Sequence, residues 1–244
     1  MKKIIILAFF ASLLWSCDDD STAGVSKVTN YPVLTLLGDD FLIIPVGTAY
    51  TDPGITATED GVDIEYITTV NGALLGTTGT TINTAVADDY TITYTATNQD
   101  GFDASVSRRV IVVQTGDLVT DISGLYTATV VRNGVSGAQY TDMEYVLIAP
   151  SGPNQYRLSD GIGGYYDIGR AYGAGYRAPA TINAVNIPAD EFTIPDFEVG
   201  TFGGGVEMTS FIVNENDGSI DFSADWDSGT TVYTFEVHLE QVQL

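Results

Sequence analysis

Cysteine and histidine are nearly absent from this 244-residue sequence, which holds one of each, Cys17 and His238. A single cysteine excludes a disulfide within the chain, and the two residues together cannot supply the four ligands of a structural zinc site. Strand alternation places His238 on a polar face beside Glu236 and Glu240, as expected of a surface histidine. The sequence therefore singles out no catalytic residue, no metal site and no cofactor.

Basic residues are scarce as well, since 9 Lys and Arg stand against 32 Asp and Glu, for a formal net charge of −23. A field of this sign repels phosphate backbones, so nucleic-acid binding is not expected. The charge is interpreted mainly as a source of solubility, with recruitment of divalent cations or basic partners as the alternative. The acidic, Gly-containing segments 98–101 and 214–218 fail the EF-hand spacing and are predicted to be turns. A looser calcium site with oxygen ligands stays open.

The sequence also lacks an apolar run of the roughly 20 residues that span a bilayer. Residues 4–14 form a run of 11 that is apolar except for Ser12, and it follows the positively charged Lys2 and Lys3. This order of a positive start and a short apolar run is typical of an export signal.

The end of that run, Leu14-Trp15-Ser16-Cys17, resembles the lipobox of bacterial lipoproteins, although Trp15 stands where a small residue is usual. The resemblance implies a signal peptide at residues 1–16 and lipid attachment at Cys17. The run Asp18-Asp19-Asp20 resembles a surface-export signal of glycan-degrading Gram-negative bacteria, and in other lineages an inner-membrane retention signal. Residues 17–30 are predicted to be an acidic, flexible tether. Without Lys2 and Lys3 the chain keeps 7 basic and 32 acidic residues, a charge of −25.

Beyond residue 30 the composition is typical of strands joined by turns, because Thr, Val, Ile, Tyr and Gly are plentiful and helix formers are sparse. Apolar and polar side chains alternate most clearly at residues 90–97, 219–226 and 231–240. The sequence predicts an all-β fold with an Ig-like β-sandwich at residues 31–114. A second antiparallel β-sandwich or small barrel is predicted at residues 115–244, and each domain is expected to fold separately.

Motifs in the first half follow a characteristic order. They are Tyr50-Thr51-Asp52-Pro53-Gly54-Ile55-Thr56-Ala57, then Asp89-Tyr90-Thr91-Ile92-Thr93-Tyr94-Thr95-Ala96, then Asp100-Gly101 and Arg109-Val110. Over residues 31–113 they resemble the Ig-like repeat named after a pesticidal crystal protein. Asp89 departs from that pattern, in which a glycine usually precedes the tyrosine. The resemblance implies a spacer or adhesive module of bacterial surface proteins, with no catalytic residues.

The second half is similar to the C-terminal domain of an uncharacterised lipoprotein family. The residues that carry this similarity are Gly124-Leu125-Tyr126, Asn154-Gln155-Tyr156, the segment 160–166 and Trp226-Asp227. Proteins of that family place the domain directly after the same Ig-like module, and they are common in polysaccharide-utilisation systems. The resemblance implies a lipid-anchored protein of the outer membrane, exposed at the cell surface, with outer-membrane transporter proteins as partners.

Residues 156–177 combine five of the 14 tyrosines with three arginines and six glycines. Tyrosine offers a flat face with a polar tip, arginine a fork of donors, and glycine room for close backbone approach. One interpretation is a glycan site, and the other is a long, tyrosine-padded loop packed on its own sheet. The negative net charge favours a neutral polysaccharide over an acidic one, although the three arginines could attract an acidic sugar locally. The candidate ligand-binding residues are Tyr165, Tyr166, Tyr172, Tyr176, Arg157, Arg170 and Arg177.

Taken together, these features favour a surface-anchored, non-catalytic protein that binds glycan during polysaccharide capture. The alternative is a structural or adhesive Ig-like spacer that contacts protein partners. A glycosidase stays open by residue type, because carboxylates are abundant, but no pair stands out.

The lipid anchor is directly testable through Cys17. Replacing the only thiol, in Cys17→Ala, is expected to abolish lipid attachment and to leave uncleaved precursor or a released form. Metabolic labelling of expressing cells with a clickable fatty acid measures this. Label that persists on the Cys17→Ala protein would contradict the assignment.

Overall fold

The computed structural model describes residues 28–244. The signal peptide, Cys17 and most of the tether lie outside the described residues. The described part is built from strands and short helical turns, which confirms the all-β prediction. No helix within residues 28–244 is long and apolar enough to cross a membrane.

The described residues form seventeen strands, numbered here in chain order. The strands are β1 Val33–Leu36, β2 Phe41–Pro45, β3 Ile55–Glu59, β4 Val62–Asp63, β5 Ile67–Gly72, β6 Thr78–Gly79, β7 Asp88–Thr97, β8 Asp103–Val113, β9 Gly124–Arg132, β10 Met143–Gly152, β11 Gln155–Leu158, β12 Ala180–Asn186, β13 Glu191–Thr193, β14 Phe197–Glu198, β15 Gly205–Asn214, β16 Ser219–Asp227 and β17 Val232–Gln241.

The Ig-like domain consists of a three-stranded sheet, β1-β3-β4, and a five-stranded sheet, β2-β8-β7-β5-β6. β2 and β8 run parallel, and the other neighbours in these sheets are antiparallel. As the alternation predicts, Tyr90, Ile92, Tyr94 and Ala96 of β7 all point into the core. Apolar residues of both sheets meet there, and no disulfide braces them, so packing holds the sandwich together.

The motifs that carry the Ig-like resemblance meet at a buried arginine. Arg108 of β8 is fully buried and forms an ion pair with Asp52, which belongs to the turn before β3. The Tyr94 hydroxyl of β7 donates to the same carboxylate at 2.6 Å, and Arg108 Nε donates to the carbonyl of Asp39 at 2.6 Å. A buried charge needs such partners, so this network ties the three motif segments together.

The C-terminal domain is one nine-stranded antiparallel sheet, in the order β13-β12-β11-β10-β9-β17-β16-β15-β14. It curls into a half-barrel whose edge strands, β13 and β14, follow each other in the chain. The two ends of the sheet also touch, since the Phe192 and Phe211 rings lie 4.8 Å apart and Val213 N donates to Asp190 Oδ1 at 2.9 Å. Of the two architectures that the sequence left open, the structure is therefore closer to the small barrel.

The two faces of the half-barrel have different neighbours. Its concave face carries the alternating apolar residues of β9, β16 and β17 and holds the main core. On the convex face, Leu125 and Leu147 pack against Ile111 and Val113 of the Ig-like domain in a separate apolar cluster. Phe41 also stacks on Tyr145 across this interface, with ring centroids 6.2 Å apart. The two domains are thus joined by packed side chains as well as by the chain between them.

An ion-pair network reinforces the same interface. Asp89, at the start of β7, accepts from Arg109 Nε at 2.7 Å and Nη2 at 3.0 Å. Arg177 of the C-terminal domain donates to Asp89 Oδ2 at 3.0 Å and to Asp167 Oδ2 at 2.5 Å. The Asp89 side chain is 6 % exposed. Although burial raises its pKa, the bonds from Arg109 and the charges of Arg109 and Arg177 outweigh burial and leave that pKa below the ordinary value. Asp89, the departure from the Ig-like pattern, thus forms an ion pair with the second domain.

The pair Asp89–Arg177 predicts a pH-dependent loss of stability in Asp89→Asn. Removing one partner of a buried pair costs about 3–5 kcal/mol. Because the pKa of Asp89 is lowered, this contribution is present above the ordinary aspartate range and is lost as the pH falls below that range and through the lower pKa of the folded state. We expect urea unfolding to show a large deficit in Asp89→Asn at pH 7 that shrinks below about pH 4. Asp63→Asn, at an exposed aspartate that forms no ion pair within residues 28–244, is the control, and equal stability of Asp89→Asn and wild type at pH 7 would refute the assignment.

Candidate functional site

The segment between β11 and β12, residues 160–178, lies inside the concave face of the half-barrel, and we call it the plug. Gly161 N donates to the carbonyl of Ala178 at 2.7 Å, which closes the base of the plug. Asp160 is fully buried there, its Oδ1 accepts from Ile162 N at 3.0 Å, and burial raises its pKa to about 7. The long loop predicted from the sequence is thus a folded insert.

Glycine lets the backbone of the plug approach the floor of the sheet. Gly163 has a φ of +66°, and a Cβ placed on it would lie 2.7 Å from side-chain carbons of both Val130 and Val237. Only glycine fits such a conformation and distance without displacement of the sheet. The glycines of this segment were expected to admit a ligand, but at Gly163 the close neighbour is the protein's own core.

Tyr165 and Tyr166 begin a single π-helical turn, Tyr165–Gly169, that turns both rings inward. Tyr165 is 3 % exposed and stacks on Tyr140, with centroids 4.3 Å apart. Tyr166 is 7 % exposed and contacts the ring of Trp226 edge-on at 5.7 Å. Both rings belong to the hydrophobic core, so neither offers an open face to a sugar.

Three other rings contact one another beside Tyr166, the exposed Tyr172 and Phe202 and the partly buried Tyr176, and we call these three the platform. Tyr172 is 51 % exposed and Phe202 is 47 % exposed. Their centroids lie 6.2 Å apart, and Tyr176 lies 5.3 Å from Tyr172 and 4.8 Å from Phe202. The rings are tilted by 62° to 74° to one another, so they present several facets instead of one plane. Such a surface offers stacking faces and two phenol hydroxyls together.

Backbone contacts hold Phe202 in place. Thr201 N donates to the carbonyl of Gly175 at 2.7 Å, and Gly200 N donates to the carbonyl of Arg177 at 2.9 Å. Below Phe202, the Trp226 indole donates to the carbonyl of Gly203 at 2.9 Å. These bonds fix the loop of Phe202 against the plug, so the platform is formed before any ligand arrives.

Of the three predicted arginines, only Arg170 lies beside the tyrosine rings at this end of the barrel. Arg170 is exposed and lies 5.7 Å from the Tyr165 ring. Arg177 lies in the interdomain network described above. Arg157 lies on β11, where its Nη1 donates to Thr181 Oγ1 at 2.5 Å, and it contacts none of the platform rings. A fourth arginine, Arg132 at the end of β9, lies 4.9 Å from the Tyr165 ring and donates to the Tyr166 hydroxyl at 3.1 Å.

Five of the seven predicted residues therefore lie together at one end of the half-barrel. Tyr165 and Tyr166 are buried there, and Tyr172, Tyr176 and Arg170 lie nearer the surface. Phe202 and Arg132 were not among the residues predicted from the sequence, and both lie outside the tyrosine-rich stretch. The available signal for Phe202 was its setting in Gly200-Thr201-Phe202-Gly203-Gly204, where an apolar ring stands among turn residues.

Other surfaces offer less chemistry. A depression of about 370 Å³ on the convex face is lined in part by His238, whose Nδ1 lies 2.7 Å from Asp221 Oδ1. His238 is exposed, as its alternation predicts. Within residues 28–244, no group of three or more Asp, Glu, His or Cys side chains is placed to hold a metal ion. At residues 98–101, the Asn98 side chain accepts from Phe102 N at 2.7 Å, which is the bonding of a turn.

Fold and site together define a two-domain, all-β protein in which an Ig-like sandwich is packed on a plugged half-barrel. A family model for the Ig-like domain of bacterial surface proteins matches residues 34–112. A second family model, described as a C-terminal domain, matches residues 115–241. This match covers more than half of the chain, so the chain belongs to the family that this C-terminal domain defines. Neither description names a catalytic activity.

Among solved structures, the crystal structure of lipoprotein BT2262 from Bacteroides thetaiotaomicron is similar, with a TM-score of 0.61 and 21 % sequence identity. The match covers 86 % of this chain and 100 % of that chain. At this identity the likeness establishes the shared fold. No curated protein matches the sequence.

The close contact of the plug with its sheet predicts a large effect of Gly163→Ala. The added methyl group must displace Val130 or Val237, and overpacking of this kind costs about 1–3 kcal/mol. Gly218→Ala is a matched control, because Gly218 has a φ of +70° with no atom within 4 Å of an added Cβ. Urea unfolding is expected to show the larger loss in Gly163→Ala, and equal losses in the two variants would contradict the tight packing.

Proposed function

We propose that this chain is a lipid-anchored, non-catalytic protein of the bacterial cell surface that binds polysaccharide through its platform. The observation that carries the proposal is the cluster of the exposed Tyr172 and Phe202 rings around the partly buried Tyr176, on a backbone fixed by hydrogen bonds. Apolar ring faces pack against the C–H faces of sugars, and the phenol hydroxyls can bond to sugar hydroxyls. A rigid platform also loses little entropy on binding.

The proposed anchor is Cys17, supported by the lipobox-like motif and by the description of BT2262 as a lipoprotein. The Ig-like domain, whose family model is that of bacterial surface proteins, would act as a spacer between the membrane and the platform. On the sequence resemblance, outer-membrane transporter proteins are the proposed neighbours in polysaccharide capture.

A second candidate function is a structural or adhesive spacer that contacts protein partners. It is favoured by the packed interface between the domains, since Leu125 and Leu147 against Ile111 would keep the chain stiff. An exposed aromatic patch also suits a protein partner. The two candidates differ in whether a polysaccharide binds to the platform.

The test is affinity electrophoresis and calorimetry of the soluble chain, residues 18–244, against a panel of neutral and acidic polysaccharides. For a polysaccharide that binds, Phe202→Ala and Tyr172→Ala are expected to weaken binding by about 1–3 kcal/mol, typical of stacking hot spots. That is roughly tenfold to a hundredfold in affinity. Phe102→Ala is the matched control, because Phe102 is 46 % exposed on the Ig-like domain, close to the 47 % of Phe202.

Unchanged affinity in the platform variants would place the site elsewhere. A panel in which no polysaccharide binds would favour the spacer function. The circular dichroism spectrum of each variant must match that of the wild type for the comparison to count.

A further inference from the structure

Two arginines near the platform, Arg132 and Arg170, carry a charge opposite to the net charge of the chain. Of the six arginines within residues 28–244, three pair with aspartates: Arg108, Arg109 and Arg177. Neither Arg132 nor Arg170 forms an ion pair with any Asp or Glu of that range. In a sequence with 32 acidic residues against 9 basic ones, two neighbouring arginines without a carboxylate partner are unexpected.

Both arginines lie against the same ring. Arg132 and Arg170 are 4.9 Å and 5.7 Å from the centroid of Tyr165. Arg132 is also 5.0 Å from the Tyr233 ring, and Arg170 is 5.8 Å from the Tyr140 ring. The two guanidinium groups are therefore held by aromatic faces, which orient a cation without neutralising it.

Most of their donors have no protein acceptor. A guanidinium carries five N–H donors. Among the described residues, Arg132 donates to the Tyr166 hydroxyl at 3.1 Å and Arg170 to the Tyr165 hydroxyl at 3.4 Å. The remaining donors form no hydrogen bond within residues 28–244, and a guanidinium fork matches the two oxygens of a carboxylate or a sulfate.

Contacts through Tyr166 link Arg132 to the platform, and Arg170 stands two residues before Tyr172 in the plug. The Tyr166 hydroxyl accepts a hydrogen bond from Arg132. The Tyr166 ring stacks on Tyr172 with centroids 6.1 Å apart, and it meets the Phe202 ring edge-on with centroids 5.0 Å apart. The positive potential also reaches Tyr140: burial raises its pKa, but a bond with the Tyr165 hydroxyl and the charges of Arg170 and Arg132 lower it overall. Stacking faces and free positive charge thus occupy one end of the barrel.

We propose that the polysaccharide bound at this end is acidic, with Arg132 and Arg170 receiving an anionic group of a sugar that stacks on the platform. The inference rests on the proposed glycan-binding function and changes its ligand class from neutral to acidic. The net charge of the chain favours a neutral ligand. Most of the acidic side chains are far from the platform, however, and salt screens their repulsion, since the Debye length is about 8 Å at physiological ionic strength. The two arginines act at direct contact, where screening is small.

The test uses the soluble chain of residues 18–244 and pairs of polymers that share a sugar backbone, one member charged and the other neutral. One pair is polygalacturonate and its methyl ester, and the other is dextran sulfate and dextran. We expect at least tenfold tighter binding of the charged member of one pair, weakened by added salt. The pair that responds distinguishes a carboxylate from a sulfate.

Arg132→Gln and Arg170→Gln are each expected to weaken binding of that polymer about tenfold or more. Arg157→Gln removes the same charge away from the platform and should leave binding unchanged, since Arg157 is held by Thr181. Arg170 is exposed, so its variant is expected to fold even where Arg132→Gln loses stability.

Three results would overturn the proposal: binding of neutral members only, no binding of either charged polymer, or equal affinities of the Arg170 and Arg157 variants. Failure of the underlying function is distinguishable. If a neutral polysaccharide binds and Phe202→Ala weakens it, the platform function stands and the acidic ligand is wrong. If no binding depends on Phe202, the platform function itself fails.

Discussion

The concave face of the half-barrel has to be covered, and most of the C-terminal domain depends on how this is done. A sheet of nine strands that curls without closing leaves an apolar face open to water. The plug, residues 160–178, fills that face, with Gly163 against the floor and Tyr165 and Tyr166 against the wall. Once those two rings are buried, the chain that follows them emerges at one end of the barrel, where it displays Tyr172 and Tyr176.

The plug also determines how the two domains are held together. Its last turn carries Arg177, which reaches both Asp167 within the plug and Asp89 in the Ig-like domain. A displacement of the plug would therefore disturb the platform and the interface together. This coupling gives a physical reason for aspartate at position 89, where the Ig-like pattern usually has glycine, because glycine offers no carboxylate to Arg177.

Much of the fold could be predicted from local patterns, and the site largely could not. Alternation at residues 90–97 and 219–226 reveals which face of a strand is buried, because period two is a local property. Whether a tyrosine is core or surface is decided by long-range contacts, as with Tyr165 on Tyr140 and Phe235. Phe202 joins Tyr172 through the curl of the sheet, so no local spacing in the sequence signals their contact.

Net charge is similarly a poor guide to the charge of one site. The carboxylates that make the chain acidic are spread over both domains, and some are occupied by Arg108, Arg109 and Arg177. Such a surface repels polyanions wherever they approach at random. At the platform, Arg132 and Arg170 are held by rings that cannot neutralise them, so attraction is confined to the place where stacking is also available. Repulsion by the rest of the protein surface, together with attraction at the platform, makes binding selective, because an acidic polysaccharide is disfavoured wherever else it contacts the protein.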